Sequence, residues 1–169
     1  MKIAILGYSG SGKSTLAKRL GIRLNIPVLY LDTVQFEANW TERDRDEALG
    51  IAADFMRRES WIIDGNYESL LQKERLELAD YILFLDFSRL NCLWRAYKRY
   101  RQYRNTCRES IAPGCEEKMD AAFIWWILYK GRTPRKIRRY RDITRAYPHK
   151  TIVLKNQWQL DAFLQNPFA

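Results

Sequence analysis

The run GYSGSGKST, residues 7 to 15, follows the apolar segment MKIAIL and constrains this chain more than any other feature. Its glycines, Gly7, Gly10 and Gly12, let the backbone take conformations that a side chain forbids and come close to a bound group. Gly7, Gly12, Lys13 and Ser14 satisfy the pattern G-x-x-x-x-G-K-[ST] in full, between a strand pattern and a helix pattern, which is the context its mechanism needs. In such a loop the amides from about Ser9 to Thr15, with Gly10 and Ser11 among them, converge on a phosphate at a helix N-terminus. Lys13 reaches the outer phosphate oxygens and Ser14 offers its hydroxyl to Mg²⁺. The structural alternative is a glycine-rich turn with a capping serine, and the full motif in its proper context weighs against it.

The rest of the chain continues the alternation that this opening sets. Apolar, β-rich runs at Lys2 to Leu6, Val28 to Leu31, Trp61 to Ile63, Tyr81 to Leu85 and Thr151 to Leu154 are separated by helical patterns. Ser14 to Leu24 carries Leu16, Leu20 and Leu24 on one face. A second helix is expected over Glu42 to Arg58, capped by Thr41 with Asp44 three residues on, and a third over Glu68 to Leu78. Short apolar strands joined by helical crossovers predict a parallel sheet covered on both faces, a doubly wound α/β domain. After the fourth run the alternation stops. Helices are expected over Arg89 to Tyr103, Glu116 to Lys130 and Pro134 to Tyr147. NTCRESIAPGC, residues 105 to 115, reads as a loop or lid tip between the first two, with Pro113-Gly114 as its turn.

A chain of 169 residues is long enough for one domain with a core of its own. No window approaches the roughly 18 uncharged apolar residues that a membrane span needs, and no signal segment opens the chain, so no membrane partner and a cytoplasmic location are expected. Cys92, Cys107 and Cys115 are odd in number and without paired spacing, which suits free thiols in a reducing compartment. A zinc clip at Cys107 to Cys115 would lack both a C-x-x-C and a nearby histidine. The net charge of +9 is segregated, because residues 95 to 145 hold fifteen Lys and Arg against five Asp and Glu. Either something anionic binds there or these are solvated helix faces. Trp94, Tyr97, Tyr100 and Tyr103 recur among Arg95, Lys98, Arg99, Arg101 and Arg104, and PRKIRRYRDITRAY adds a second basic helix, which makes DNA a physically reasonable partner. The same spacing also seats an apolar helix face on a sheet. That packing is the favoured expectation, for Trp125, Trp126 and Tyr129 as well.

Ligands of open α/β sheets bind beyond the carboxyl ends of the strands. Those ends are expected at Asp32, at Asp64-Gly65-Asn66-Tyr67 and at Asp86. Asp64 is the candidate for holding Mg²⁺ with Ser14, and Asp32 the candidate for binding or deprotonating an acceptor. Each aspartate has the alternative of capping a helix or forming a turn, the favoured reading for Asp86.

Taken together, GYSGSGKSTLA, LYLD, WIIDGNY, FLDFSRLNCLWR and APGCEEKMD resemble the bacterial DNA topology modulation proteins, within the adenylate-kinase-like P-loop kinases, over nearly the whole chain. The resemblance implies a five-stranded parallel sheet in the order 2-3-1-4-5 and a single P-loop kinase-like domain over 1–169. Within it come an acceptor-binding arm over about 33–60 and an Arg-rich lid and helical insert over about 89–147, with ATP and Mg²⁺ as cofactors. It makes Arg95 and Arg99 the lid-base pair that faces the phosphates, and their i, i+4 spacing puts both on one helix face. Arg104 and Arg108 would join them on closure, and the nucleotide base would lie against Lys155-Asn156-Gln157. Trp40 and Arg43 fall in the arm and become candidate acceptor contacts.

Adenylate kinases follow the Asp-Gly after strand three with Phe-Pro-Arg, whose arginine grips the acceptor phosphate. Here Gly65 is followed by Asn66, Tyr67 and Glu68. A neutral hydroxyl acceptor contacted by Asp32, Gly65, Asn66 and Tyr67 suits these groups better. The expected activity is Mg²⁺-dependent phosphoryl transfer from ATP to a small acceptor, with Lys13, Asp32, Arg95 and Arg99 as the catalytic set. The alternative is an ATP-dependent DNA-binding protein that uses the basic helices.

Overall fold

The five apolar runs form the strands β1 (Lys2–Gly7), β2 (Val28–Tyr30), β3 (Trp61–Asp64), β4 (Tyr81–Leu85) and β5 (Thr151–Leu154) in a computed structural model that describes residues 1–103, 110–115 and 119–168. All pair in parallel, in the order β2-β3-β1-β4-β5, as the resemblance implies. Ile3, Ile5, Ile62, Ile63, Ile82 and Leu83 are wholly buried, which is how continuous apolar strands end up when helices cover both faces of a sheet. The register sets Ile5 beside Asp64, Tyr30 beside Asp64 and Gly7 beside Leu85, so the ends of β1 to β4 share one rim.

The helices among the described residues are α1 (Lys13–Leu24), α2 (Leu31–Gln35), α3 (Arg45–Met56), α4 (Gln72–Leu78), α5 (Arg89–Tyr103), α6 (Ala121–Leu128), α7 (Pro134–Ala146) and α8 (Gln157–Gln165). Leu16, Ala17 and Leu20 of α1 pack onto the core. None of these helices is long and apolar enough to cross a membrane.

Several expectations change. α3 is capped by Asp44, whose side chain accepts from the amides of Asp46 and Glu47, because the chain at Thr41 is still occupied by a bridge between Phe36 and Glu42. Asp32 lies in the first turn of α2, just past the strand rather than at its end. α4 begins only at Gln72, after Leu71 takes a left-handed conformation, so Glu68 precedes it. α6 starts at Ala121 behind an Asp120 cap and gives way to a 3₁₀ turn at Lys130–Arg132. The expected start of that helix at residues 116 to 118 lies outside the described residues, as do Arg104, Cys107 and Arg108. α8 has no counterpart in the sequence reading. The aromatic residues expected to seat α5 and α6 on the sheet stand largely in solvent, with Trp94 56% and Trp125 52% exposed.

Candidate active site

The phosphate loop is shaped by close backbone approach. Gly10 has φ +79°, and a Cβ there would collide with the Cys92 carbonyl of α5. Gly12 has φ +96°, and a Cβ there would collide with the Arg95 guanidinium. Both positions therefore need glycine for conformation, and Gly10, set against backbone, needs it for space as well. Ser11 is fully buried, and its hydroxyl has no hydrogen-bond partner among the described residues. Lys13 Nζ donates to the Tyr8 carbonyl at 3.3 Å. Ser14 Oγ donates to Asp64 Oδ2 at 2.7 Å, and Asp64 is almost wholly buried. A hydroxyl and a carboxylate side by side at the loop are hard oxygen donors of the kind that Mg²⁺ takes, so the residues present fit that ion.

Asn66 spends its amide on the loop. Its Oδ1 accepts from Gly7 N at 3.1 Å and its Nδ2 donates to Gly7 O at 2.7 Å, so the end of β3 is pinned to the end of β1. Beneath it lies a residue that the sequence did not single out. Arg75 is fully buried and donates to the carbonyls of Leu70 (2.9 Å), Tyr67 (2.8 Å) and Gly65 (3.3 Å). Burial pulls its pKa down to about 10, against the opposing pull of the Asp64 charge. An arginine in a charged helix reads as surface, so no sequence signal marks it.

Across the rim, Tyr67 donates its phenol proton to Asp32 Oδ1 at 2.8 Å. Burial, then the Asp32 carboxylate, with smaller pushes from Asp64 and Glu42, raises the phenol pKa far above its usual range, so Tyr67 stays a donor. Asp32 Oδ2 is left without a side-chain partner among the described residues. Arg43, expected to contact the acceptor, is instead internal to the arm: Nε donates to Val34 O at 3.0 Å, and the guanidinium pairs with Glu37 at 3.3 Å and with Glu47. Trp40 meets Phe36 edge-on at 5.4 Å, and its amide donates to Cys115 Sγ at 3.3 Å. Ile111, Ala112 and Cys115 are buried against this aromatic pair, so the described part of the expected lid tip rests on the arm.

On the opposite flank, Arg95 lies against Gly12, crosses the Phe87 ring at 4.8 Å and donates to Gln157 Oε1. Burial lowers its pKa. Arg99 is directed over the Phe123 ring of α6, 6.0 Å away. Asn156, expected beside the base, uses its side chain to cap α8 through Gln159 N at 2.9 Å. Two further residues from the helical insert reach the loop. Trp126 Nε1 donates to Ser9 Oγ at 3.2 Å, and buried Arg132 stacks 3.6 Å over the Tyr8 ring while donating to Phe87 O at 2.5 Å. Burial raises the Asp86 carboxyl, and the charges of Arg132 and Lys155 oppose that rise.

No family model and no curated protein matches the chain, so the likeness to topology modulation proteins rests on the quoted motifs alone. Solved structures do match. A shikimate kinase from Bacteroides thetaiotaomicron is 19% identical with a TM-score of 0.51, over 98% of this chain and 94% of that one. A gluconokinase from Sinorhizobium meliloti is 18% identical with a TM-score of 0.56, over 95% and 85% of the two chains. A deoxyadenosine kinase from M. mycoides is 14% identical with a TM-score of 0.51, over 98% and 97%. Identities this low speak for architecture, and together with the strand order they show that the chain has the α/β fold of the P-loop small-molecule kinases.

Proposed function

We propose that this protein transfers the γ-phosphoryl group of ATP to a hydroxyl of a small, unphosphorylated acceptor. One observation carries the reading: two oxygen pairs share one rim, Ser14–Asp64 beside the phosphate loop and Tyr67–Asp32 beside the arm. Lys13 and the loop amides hold the phosphates, and Arg95 draws off charge as it spreads over the transferring group, with Arg99 joining it from the same helix. Mg²⁺, which Ser14 and Asp64 would hold, supplies charge neutralisation when bound. Asp32 takes the acceptor's hydroxyl proton on Oδ2 while Tyr67 keeps the carboxylate oriented through Oδ1. An unphosphorylated acceptor suits a rim where Glu68 stands in place of the phosphate-gripping arginine of adenylate kinases and is itself paired with Arg139.

The test is ADP release from Mg-ATP across nucleosides, nucleoside monophosphates, sugars, small carboxylates and duplex DNA, with Lys13→Ala as the blank. Stimulation by an unphosphorylated small molecule is expected, and stimulation by DNA alone overturns the proposal. A second reading, ATP-dependent DNA binding, draws on the exposed aromatic and basic face of α5, where Trp94 and Tyr97 stack and Lys98 lies 5.2 Å over Trp94. It requires DNA affinity that falls steeply with salt and weakens when Lys98 and Arg101 are neutralised.

A further inference from the structure

Among the described residues, the cations around the acceptor side of the rim are already in use. Arg43 is tied between Glu37 and Glu47. Arg139 pairs with Glu68 and reaches Gln72. Arg75 is buried on three carbonyls. Lys13 and Arg95 stand on the phosphate side, at the loop. The carboxylates are not neutralised in the same way. Among the described residues, the Asp32 carboxylate meets only the neutral Tyr67 phenol. Glu42 is exposed, with no ion pair or side-chain hydrogen bond among the described residues, and the Phe36–Glu42 bridge sets it at the base of the arm that begins beside Asp32. The Phe36 amide donates to the Asp32 carbonyl at 3.1 Å and Phe36 bridges to Glu42, so the backbone sets Glu42 close to the turn that carries Asp32. In a chain of net charge +9, the described acceptor side is locally acidic.

We infer that the acceptor is a hydroxyl compound bearing a protonated amine, an amino alcohol or amino sugar, with its ammonium group held by Glu42 and its hydroxyl presented to Asp32. The inference rests on the kinase reading and names the substrate class for that site. Among the described residues, an anionic acceptor would approach Asp32 and Glu42 with no uncommitted guanidinium on that side, and like charges set against each other select against the wrong partner. An ammonium group gains Glu42 as its counter-ion and leaves Asp32 free for the hydroxyl. In the transfer, the acceptor oxygen bonds to the γ-phosphorus as the bond from that phosphorus to the ADP oxygen breaks. The hydroxyl proton passes to Asp32, and ADP leaves with its charge compensated at the loop.

The experiment measures ADP release with acceptor sets matched in shape and differing in charge: glucosamine, N-acetylglucosamine and gluconate, and serinol, glycerol and glycerate. Wild-type protein and Glu42→Gln are compared. The amine of a set should exceed its neutral and anionic partners by about tenfold or more in kcat/KM, and Glu42→Gln should remove that advantage through KM while kcat changes little. Glu42→Lys should shift preference toward gluconate or glycerate. Preference for the neutral or anionic members, untouched by Glu42→Gln, overturns the inference and leaves the kinase reading standing. No turnover with any acceptor overturns both.

Discussion

On the phosphate side of the rim, the loop is gripped from several directions by groups that the sheet itself positions: Asn66 on Gly7, Asp64 on Ser14 and the α5 backbone against Gly10. On the acceptor side, Asp32 sits on a five-residue helix, Trp40 on a single 3₁₀ turn, and the segment at 110 to 115 rests on them through a small cluster of its own. On the proposed kinase function, the contrast separates what every phosphoryl transfer needs from what selects one substrate. Loop closure on a phosphate tolerates little variation in geometry, whereas short elements with few buried partners can change without cost to the core.

The largest expected effect breaks the phosphate side outright. Lys13→Ala should lower turnover by about 10³-fold with the far-ultraviolet circular dichroism and melting temperature unchanged, since among the described residues its amine donates to one carbonyl, that of Tyr8. Next comes the support that both sides share. Arg75→Leu removes the donor to three carbonyls and should cost about 3 kcal/mol, read as a fall in melting temperature of roughly 10 °C. The resulting loosening of Gly65 and Tyr67 should raise the acceptor KM more than the ATP KM.

Tyr67→Phe sharpens the comparison further. Loss of the donor to Asp32 should reduce kcat/KM for the acceptor by about tenfold and leave ATP binding untouched, which isothermal titration can separate from kinetics. The smallest effect concerns pH. Burial raises the Asp86 carboxyl pKa, so folding favours the protonated form: its contribution is fully present below the ordinary carboxylate pKa, about pH 4, and is lost as pH rises through the folded value. Asp86→Asn should therefore raise stability at pH 7 by about 1 kcal/mol or less, with the gain gone below about pH 4 in thermal melts.

The parts of the site read from the sequence were those with local signatures. Lys13 and Ser14 belong to a spaced motif, and Asp64 follows a short apolar run, so their meeting follows from strands that pair in parallel. Asp32 was placed near the rim, though a helical turn carries it there. Asn66 and Arg43 have the right neighbourhood, but Asn66 serves the loop backbone and Arg43 the inside of the arm. Arg132 and Trp126 reach the phosphate loop from more than a hundred residues away, and a helical pattern rich in Arg and Trp says nothing of which loop it will meet. The exposed Trp94 and Trp125 show the same limit, because an aromatic period of three or four marks a face without saying what covers it.

Sequence alone determined the alternation of strand and helix, the phosphate loop and the acidic ends of the strands, because period, glycine placement and hydrogen-bonding type act over a few residues. Tertiary structure alone decided that Arg75 lies buried, that Tyr67 holds Asp32, that the segment at 110 to 115 rests on Phe36 and Trp40, and that Glu42 stands exposed without a counter-ion among the described residues. Those outcomes depend on which distant groups compete for each charge and each carbonyl, and that competition is settled only when the chain has packed.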